Sequence, residues 1–237
     1  MRLDSPDSLA AKTLAVIPAR DEEGSAGAVV ADLLGAGIRQ VRVIDNGSSD
    51  RTATVARSAG AEVLGEPVAG YGRACWRGLQ NLPAWVEWIL FCDADGSDDL
   101  GQLPAFLLAA READFVLGAR QRLPGGRNTL TPAQRFGNAL STTLIRLGWG
   151  FRYHDLGPFR LIRRRALEDI RMRDRSWGWT LEMQVRSVEN NLRIVELPVT
   201  ALPRRAGRSK ISGSITGSFR AGVVILSMLA RLYWRRA

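Results

Sequence analysis

Short apolar, β-branched runs alternate with segments of helical periodicity along the first half of the chain. The apolar runs are predicted strands at residues 13–17, 41–44, 61–64, 88–92 and 115–117. Predicted helices follow them at 26–34, from about 49, at 72–80 and around 100–110. This alternation predicts an α/β fold with a doubly wound, mostly parallel sheet and helices on both faces. Such sheets bind ligands at the carboxyl ends of their strands, so the polar residues after each strand are the first candidates for a site.

From about Pro132, the regular alternation of predicted strands and helices ends. The pattern then predicts helices over 132–147 and 180–190, strands near 159–162 and 192–197, a basic loop at 203–213 and a last helix over 214–234. We expect one domain over 13–213, with a nucleotide-binding half (about 13–118) and an acceptor half (about 119–213). A flexible tail (1–12) and a C-terminal amphipathic helix (214–237) are expected to flank it.

The charge of the chain points to anionic partners. Its 33 Lys and Arg against 24 Asp and Glu give a formal net charge of +9, which favours lipid headgroups, nucleic acid or phosphorylated small molecules. Nucleic acid is not expected, because the chain lacks a nucleic-acid motif with interleaved aromatic residues. Two cysteines and one histidine exclude a disulfide framework and a multi-histidine metal site, and they suit a reducing cytosol. Neither a signal peptide nor a membrane span of about 18 apolar residues is expected.

The sharpest chemical signal is a pair of aspartates, Asp93 and Asp95, directly after the fourth predicted strand. Two carboxylates one residue apart are hard oxygen ligands that suit Mg²⁺ or Mn²⁺. Such a cation can bridge phosphate oxygens and stabilise a departing diphosphate. The alternative is that the aspartates only turn the chain and cap the next helix, which suits Asp98 and Asp99 better.

Polar segments also follow the first two predicted strands, at residues 17–23 (Ile-Pro-Ala-Arg-Asp-Glu-Glu) and 45–52 (Asp-Asn-Gly-Ser-Ser-Asp-Arg-Thr). A carboxylate at a strand end can accept a hydrogen bond from a base N–H or a ribose hydroxyl. The alternative for the second segment is a turn with Ser49 or Asp50 as helix N-cap. That alternative accounts for Asp50 better than for Asp45.

Taken together and in this order, the three segments resemble those of the inverting family 2 glycosyltransferases. Residues 18–22 are similar to the family's Pro-x-x-Asn-Glu, with Asp21 in place of Asn. Residues 45–50 are similar to its Asp-Asp-Gly-Ser-x-Asp, with Asn46 in place of the second Asp, and 93–95 to its metal-binding Asp-x-Asp. Residues 70–74 lie where the family has a glycine-rich turn and a basic residue. The resemblance covers about residues 14–210.

This resemblance implies the GT-A nucleotide-diphospho-sugar transferase fold and a nucleotide-sugar donor. It also implies a donor site built from the residues of these segments, namely Pro18, Ala19, Arg20, Glu22, Asp45, Asn46, Gly72, Arg73, Asp93, Ala94 and Asp95. Asp93 and Asp95 are the implied metal ligands.

The second half resembles polyprenyl-phosphate sugar synthases of the dolichyl-phosphate mannose synthase type. Residues 204–210 are similar to their Arg-x-x-Gly-x-Ser-Lys loop, and 155–160 to their Asp-x-x-Ser-Gly-Phe-Arg segment. The resemblance implies that Arg120, Arg135, Arg204 and Lys210 bind the phosphate of the acceptor. Arginines and a lysine reduce the repulsion between a nucleotide diphosphate and a phosphate acceptor. The alternative for 204–210 is a solvated basic loop or a nucleic-acid patch.

Trp177, Trp179 and Glu182 open the predicted helix at 180–190. The tryptophans could line a sugar or lipid pocket, and Glu182 lies where other family 2 members place acceptor-side acids. Equally, the tryptophans could be core residues and Glu182 a first-turn carboxylate favoured by the helix dipole. The last helix has apolar residues at helical spacing with arginines at its margins. It is expected to contact a membrane or, alternatively, to dock on the sheet.

The expected function is metal-dependent transfer of a hexose from a UDP- or GDP-sugar to a polyprenyl phosphate, with inversion. The candidate catalytic residues are Asp93, Asp95 and Glu182, and the cofactor is Mg²⁺ or Mn²⁺. A phosphate acceptor needs no strong general base, whereas a hydroxyl acceptor would need a carboxylate such as Asp93 or Glu182. The expected location is the cytoplasm, peripheral at the inner face of the membrane. Two alternatives stay open: a family 2 transferase with a soluble hydroxyl acceptor, and a nucleotide-binding module without turnover.

Overall fold

Seven strands form a single mixed sheet in the structure, a computed structural model that describes residues 5–123, 130–206 and 227–234. The strands are β1 (Thr13–Ala19), β2 (Gln40–Asp45), β3 (Glu62–Gly65), β4 (Trp88–Phe91), β5 (Phe115–Ala119), β6 (Arg160–Arg163) and β7 (Ile194–Pro198). Their order is β3-β2-β1-β4-β6-β5-β7. Strand β6 runs antiparallel to β4 and β5, and the other neighbours are parallel. The prediction of a mostly parallel sheet is confirmed.

Helices cover both faces of this sheet. They are α1 (Pro6–Ala10), α2 (Ala26–Gly35), α3 (Thr52–Ser58), α4 (Tyr71–Gly78), α5 (Leu103–Ala109), α6 (Pro132–Trp149), α7 (Arg164–Asp169), α8 (Trp179–Glu189) and α9 (residues 227–234), with 3₁₀ turns at Leu100–Gln102 and Arg120–Arg122. Because successive strand residues point to opposite faces, Ala15 and Ile17 join one apolar cluster and Leu14 and Val16 the other. The first cluster includes residues of α2 and α5, and the second includes residues of α4, α8 and α9.

Helix α1 replaces part of the predicted flexible tail. The Ser5 side chain caps it by accepting the N–H of Ser8 at 3.2 Å. Leu9 and Ala10 are buried in the first apolar cluster, and the Thr13 hydroxyl donates to the Leu9 carbonyl at 2.7 Å. The prediction of a tail over 1–12 is therefore wrong for residues 5–12, because two apolar side chains hold this segment on the sheet.

The described part of the C-terminal segment, helix α9, docks on the second apolar cluster. Met228, Leu229 and Leu232 are buried there, while Tyr233 and Trp234 are exposed. Residues 207–226, which include Lys210 and most of the predicted basic loop, lie outside the described residues. None of the helices within the described ranges is both long and apolar enough to cross a bilayer.

Candidate functional site

Hydrogen bonds join the loops that follow β1 and β2. The carboxylate of Asp21 accepts the N–H of Ser49 at 2.7 Å, and the N–H of Glu22 donates to the Thr52 hydroxyl at 2.7 Å. Asp21 has φ +47°, a left-handed conformation that Asp and Asn tolerate better than most residues. Since β1 and β2 are parallel and in register to their last residues, these contacts hold Glu22 and Asp45 at one edge of the sheet.

Asp45 and Asn46, at the end of β2, have different surroundings. Asp45 is half-buried, and its Oδ1 accepts the backbone N–H three residues further on at 3.0 Å. Asn46 is buried and binds the next loop: its amide donates to the carbonyls of Glu66 and Val68 (2.9 and 2.8 Å) and accepts the N–H of Gly70 (2.8 Å). Both amide hydrogens of Asn46 therefore form hydrogen bonds within the protein. Asn46 positions this loop, and its amide hydrogens are not available to the donor.

The loop after β4 is shaped by its own aspartates. Asp98 accepts the N–H of Asp93 at 2.9 Å, and Asp99 caps the following 3₁₀ turn. These two residues turn and cap the chain, as the alternative interpretation of the motif proposed for them. Asp95 is only 3 % exposed, and its Oδ1 accepts the N–H of Ser97 at 2.8 Å.

Burial, and after it the closeness of other carboxylates, makes negative charge unfavourable in this loop. The pKa of Asp93 is raised well above its usual range by burial first, then by Asp98 and Asp95, while Arg120 and Arg204 lower it. Burial also raises the pKa of Asp98 to about 6, against the lowering effect of its hydrogen bond from Asp93. Among the residues that the structure describes, no three acidic, histidine or cysteine side chains are grouped so as to hold a metal ion. A cation in this loop would relieve the repulsion between its carboxylates.

A short segment, residues 201–206 (the strap), lies across the β4 loop. An isolated antiparallel bridge joins the two segments, and the N–H of Leu202 donates to the carbonyl of Ser97 at 2.9 Å. The N–H of Arg205 donates to the carbonyl of Asp95 at 3.0 Å. A Cβ on Gly96 would lie 2.7 Å from the Arg205 side chain, so glycine permits this close approach.

Arg204 of the strap lies between the acidic ends of two strands. Its guanidinium is 2.9 Å from Oδ2 of Asp95 and 3.5 Å from Oε1 of Glu22. The Asp95 side chain is 4 % exposed and that of Arg204 is 34 % exposed, so the ion pair is partly shielded from water. Three sequence segments that were predicted to share a site therefore meet at one point.

Arg120, directly after β5, is held by a buried carboxylate. Its side chain forms a bidentate ion pair with Asp155 at 2.8 and 2.9 Å, and its backbone N–H donates to the same carboxylate at 2.8 Å. Asn138 of α6 donates to Asp155 at 3.0 Å. Burial opposes the charge of Arg120, but Asp155 outweighs it and raises the pKa of the guanidinium. We call these three residues the Arg120 cluster.

Arg160, at the start of β6, is a buried cation that sequence reasoning did not select. It is 1 % exposed and donates to the carbonyls of Thr180, at 3.1 Å, and Gly157. Its Nε has no hydrogen-bond partner within the described part of the chain, and burial lowers the pKa of the guanidinium. The only signal for Arg160 in the sequence is its place at the end of the segment 155–160.

Glu182 and Trp179 make contacts that stabilise the fold. Glu182 is 2 % exposed, and its Oε2 accepts the N–H groups of Arg173 (2.9 Å) and Asp174 (2.6 Å). These bonds fix the loop before α8, and Glu182 lies in the first turn of α8, as the alternative interpretation expected. Trp179 is buried in the second apolar cluster, whereas Trp177 is 43 % exposed.

Four of the other predicted site residues are a glycine at a helix contact and three exposed arginines. A Cβ on Gly72 would lie 2.7 Å from the backbone of Arg175, so this glycine lets α4 approach the loop before α8. Arg20 and Arg73 are exposed, and so is Arg135, one turn before Asn138 on α6.

The fold and the site define a class: a GT-A nucleotide-diphospho-sugar transferase, with acidic loops at the ends of a mostly parallel sheet. The sequence model of "Glycosyl transferase family 2" matches residues 14–171, and the chain belongs to this family and is a glycosyltransferase. The prediction of this family and fold is confirmed.

The relatives include enzymes with named acceptors. The chain is 40 % identical over 207 residues to an uncharacterized glycosyltransferase of Mycobacterium tuberculosis, covering 87 % of this chain and 92 % of the relative. It is 32 % identical over 209 residues to the undecaprenyl-phosphate mannosyltransferase of Micrococcus luteus, covering 83 % and 86 %. The fold is similar to that of glucosyl-3-phosphoglycerate synthase from Mycobacterium tuberculosis in complex with Mn²⁺, UDP and glucosyl-3-phosphoglycerate. The TM-score is 0.73 at 18 % identity, covering 97 % of this chain and 85 % of that one.

Proposed function

We propose that this glycosyltransferase moves a hexose from a UDP- or GDP-sugar to a polyprenyl phosphate, with inversion and with Mg²⁺ or Mn²⁺ as cofactor. The observation that carries the proposal is the contact of Arg204 with both Glu22 and Asp95. It joins a basic segment suited to phosphate to the acidic strand ends suited to a nucleotide and a cation. The similarity to an undecaprenyl-phosphate mannosyltransferase supports the choice of acceptor.

The donor binds along the strand-end loops. Asp45 and the segment 18–22 hold the nucleoside, because their carboxylate and backbone groups can bond base N–H and ribose hydroxyl groups. Asn46 and Gly72 act on this site indirectly, by holding the loop 66–70 and the approach of α4.

Asp95 and Asp93 would hold the cation, together with the donor diphosphate. The residues fit this cofactor, since carboxylates are hard oxygen ligands, and burial first, then the neighbouring carboxylates, raises the pKa of Asp93, which a bound cation would counteract. When bound, the cation supplies positive charge to the departing diphosphate. The structurally similar glucosyl-3-phosphoglycerate synthase was crystallised with Mn²⁺ and UDP.

The acceptor phosphate is positioned by Arg120, Arg135, Arg204 and Lys210. Arg120 is preorganised for this role, because Asp155 fixes its guanidinium before any ligand arrives. A phosphate oxygen then attacks the anomeric carbon as the bond from that carbon to the diphosphate breaks. The acceptor is already anionic, so no side chain has to remove a proton. This agrees with the contacts of Glu182, whose Oε2 accepts two backbone N–H groups and whose Oε1 lies 3.5 Å from Nε of Arg186.

We place the protein peripherally on the cytoplasmic face of a membrane. Helix α9 exposes Tyr233 and Trp234, the latter at 81 %. Helix α6, which contacts α9 through Trp149 and Tyr233, exposes Leu147 at 78 %. Aromatic and aliphatic side chains beside arginines suit the interface of an anionic bilayer.

A transfer assay with purified protein tests this function. Radiolabelled UDP-glucose or GDP-mannose is incubated with Mn²⁺ and either a short-chain polyprenyl phosphate in detergent or a soluble acceptor such as phosphoglyceric acid. We expect label in an organic-soluble product that mild acid releases, and loss of transfer in EDTA. Transfer to the soluble acceptor alone would overturn the polyprenyl acceptor, and binding of donor without any transfer would overturn the catalytic role.

A further inference from the structure

We infer that Arg204 and the divalent cation compete for the carboxylate of Asp95, so that the free protein binds the cation weakly and binds it tightly with the nucleotide diphosphate. Arg204 thus acts as an internal substitute for the cation in the ligand-free protein. This inference rests on the proposed function, since it concerns the same donor site.

Both oxygens of Asp95 are already in use. Oδ1 accepts the N–H of Ser97 at 2.8 Å, and Oδ2 lies 2.9 Å from the guanidinium of Arg204. The Asp95 side chain is 4 % exposed, so water screens little of the charge around it. A divalent cation at Oδ2 would stand next to the guanidinium, and the two positive charges would repel each other.

The strap does not need the Arg204 side chain to stay in place. Its backbone is bonded to the β4 loop at Leu202 and Arg205, and the Arg205 side chain binds Asp32 of α2 at 2.6 Å. The guanidinium of Arg204 is one-third exposed and can therefore rotate away while the strap remains seated. Its long, flexible side chain keeps phosphate groups at the same crevice within reach.

The diphosphate of the incoming nucleotide supplies binding partners for both Arg204 and the cation. Its oxygens offer Arg204 new negative partners, next to the acceptor phosphate that Arg204 also positions, and they offer the cation new ligands. Arg204 moves from Asp95 to phosphate, and the cation would take its position on Asp95, so that Asp95 and Arg204 each keep a partner of opposite charge. Diphosphate and cation therefore strengthen each other's binding, by the same factor in both directions.

Mn²⁺ binding measured by the electron paramagnetic resonance of free Mn²⁺ tests this exchange, with and without UDP. We expect UDP to tighten Mn²⁺ binding of the native protein by about tenfold or more. Arg204→Ala should bind Mn²⁺ alone roughly tenfold more tightly than the native protein, because the competing charge is gone. Its gain from UDP should fall by a similar factor.

Arg205→Ala is the matched control. It removes one positive charge from the same strap, but its side chain binds Asp32, and its backbone bond to Asp95 is unaffected by the substitution. We expect its Mn²⁺ affinity to stay within about twofold of native. Equal tightening in both variants would show a general charge effect and overturn the inference.

Arg204→Lys gives an independent result, and circular dichroism verifies the folding of each variant. Lysine retains the competing charge, so its Mn²⁺ affinity without UDP should stay within about threefold of native. If Arg204→Lys bound Mn²⁺ as tightly as is expected of Arg204→Ala, competition by charge would be ruled out. Unchanged Mn²⁺ binding in Arg204→Ala would rule it out as well. A native protein that binds Mn²⁺ neither alone nor with UDP would instead refute the metal-dependent donor site of the proposed function.

Discussion

The strand-end loops and the Arg120 cluster hold their charged groups in opposite ways. In the loop after β4, carboxylates lie close together, and the pKa values of Asp93 and Asp98 are raised. In the Arg120 cluster, each charge has a partner: Asp155 accepts three hydrogen bonds from Arg120 and one from Asn138. The loop thus has an excess of negative charge, whereas the charges of the cluster are paired with each other. Substitutions in the loops should reduce mainly ligand binding and turnover, and substitutions in the cluster should reduce stability first and turnover through the loss of a fixed Arg120.

The largest expected effect is that of Asp95→Asn on turnover. Loss of this carboxylate charge weakens a cation ligand and should lower kcat by about 10³-fold in the transfer assay. The free energy of unfolding without metal should change by less than about 1 kcal/mol, because the substitution removes a charge from a crowded loop as well as an ion pair.

Asp99→Asn is the control for this prediction, since Asp99 belongs to the same loop but caps the 3₁₀ turn. We expect its kcat to stay within about threefold of native, because Asn is also a good capping residue. If Asp95→Asn destabilised the protein by several kcal/mol while turnover persisted, the contrast between loop and cluster would be reversed.

The largest expected effect on stability is that of Asp155→Asn. Asp155 is 1 % exposed, and its loss of charge leaves the Arg120 guanidinium without its anionic partner. Removing one partner of a buried ion pair costs about 3–5 kcal/mol. Urea unfolding followed by circular dichroism measures this loss, and an unchanged midpoint would show that the cluster does not stabilise the fold.

The same contrast explains what the sequence could predict. Glu22, Asp45 and Asp95 follow strands with strong apolar periodicity, and the ends of neighbouring parallel strands meet at one edge, so their proximity follows from local pattern. The partners Arg120 and Asp155 lie 35 residues apart, on segments whose pairing depends on the antiparallel strand β6. An apolar run does not specify strand direction, so neither this pairing nor the buried Arg160 could be derived from periodicity.

Contacts between side chains and the backbone also could not be predicted from the periodicity of the sequence. Asn46 was predicted at the donor site from its place in a motif, but its amide geometry depends on the path of the loop 66–70. Helix α1 was missed because five residues carry too little periodicity to distinguish a short docked helix from a tail.

A smaller effect on stability is expected for Asn46→Asp, which introduces the residue found at this place in the resembled family motif. A carboxylate cannot donate to the carbonyls of Glu66 and Val68, and it would lie close to their oxygen atoms. We expect a loss of about 1–3 kcal/mol in the free energy of unfolding. We also expect weaker UDP binding in calorimetry, since the loop 66–70 would lose its anchor. Tighter UDP binding in this variant would show that position 46 contacts the donor directly.

The smallest expected effect is that of Glu182→Gln, and it separates positioning from proton transfer. The amide oxygen of Gln can accept the two N–H groups that Oε2 of Glu182 now accepts. We expect kcat within about fivefold of native and an unchanged pH profile. Glu182→Ala leaves both N–H groups unpaired, so it should lose about 1–3 kcal/mol of stability. If Glu182 were a general base, Glu182→Gln and Glu182→Ala would both lower turnover by about 10²-fold or more. Both variants would also lose the acidic limb of the pH profile. Recovery of turnover by Gln but not by Ala would therefore assign Glu182 to the fixed scaffold beside the crevice, since Gln restores its hydrogen bonds but not its charge.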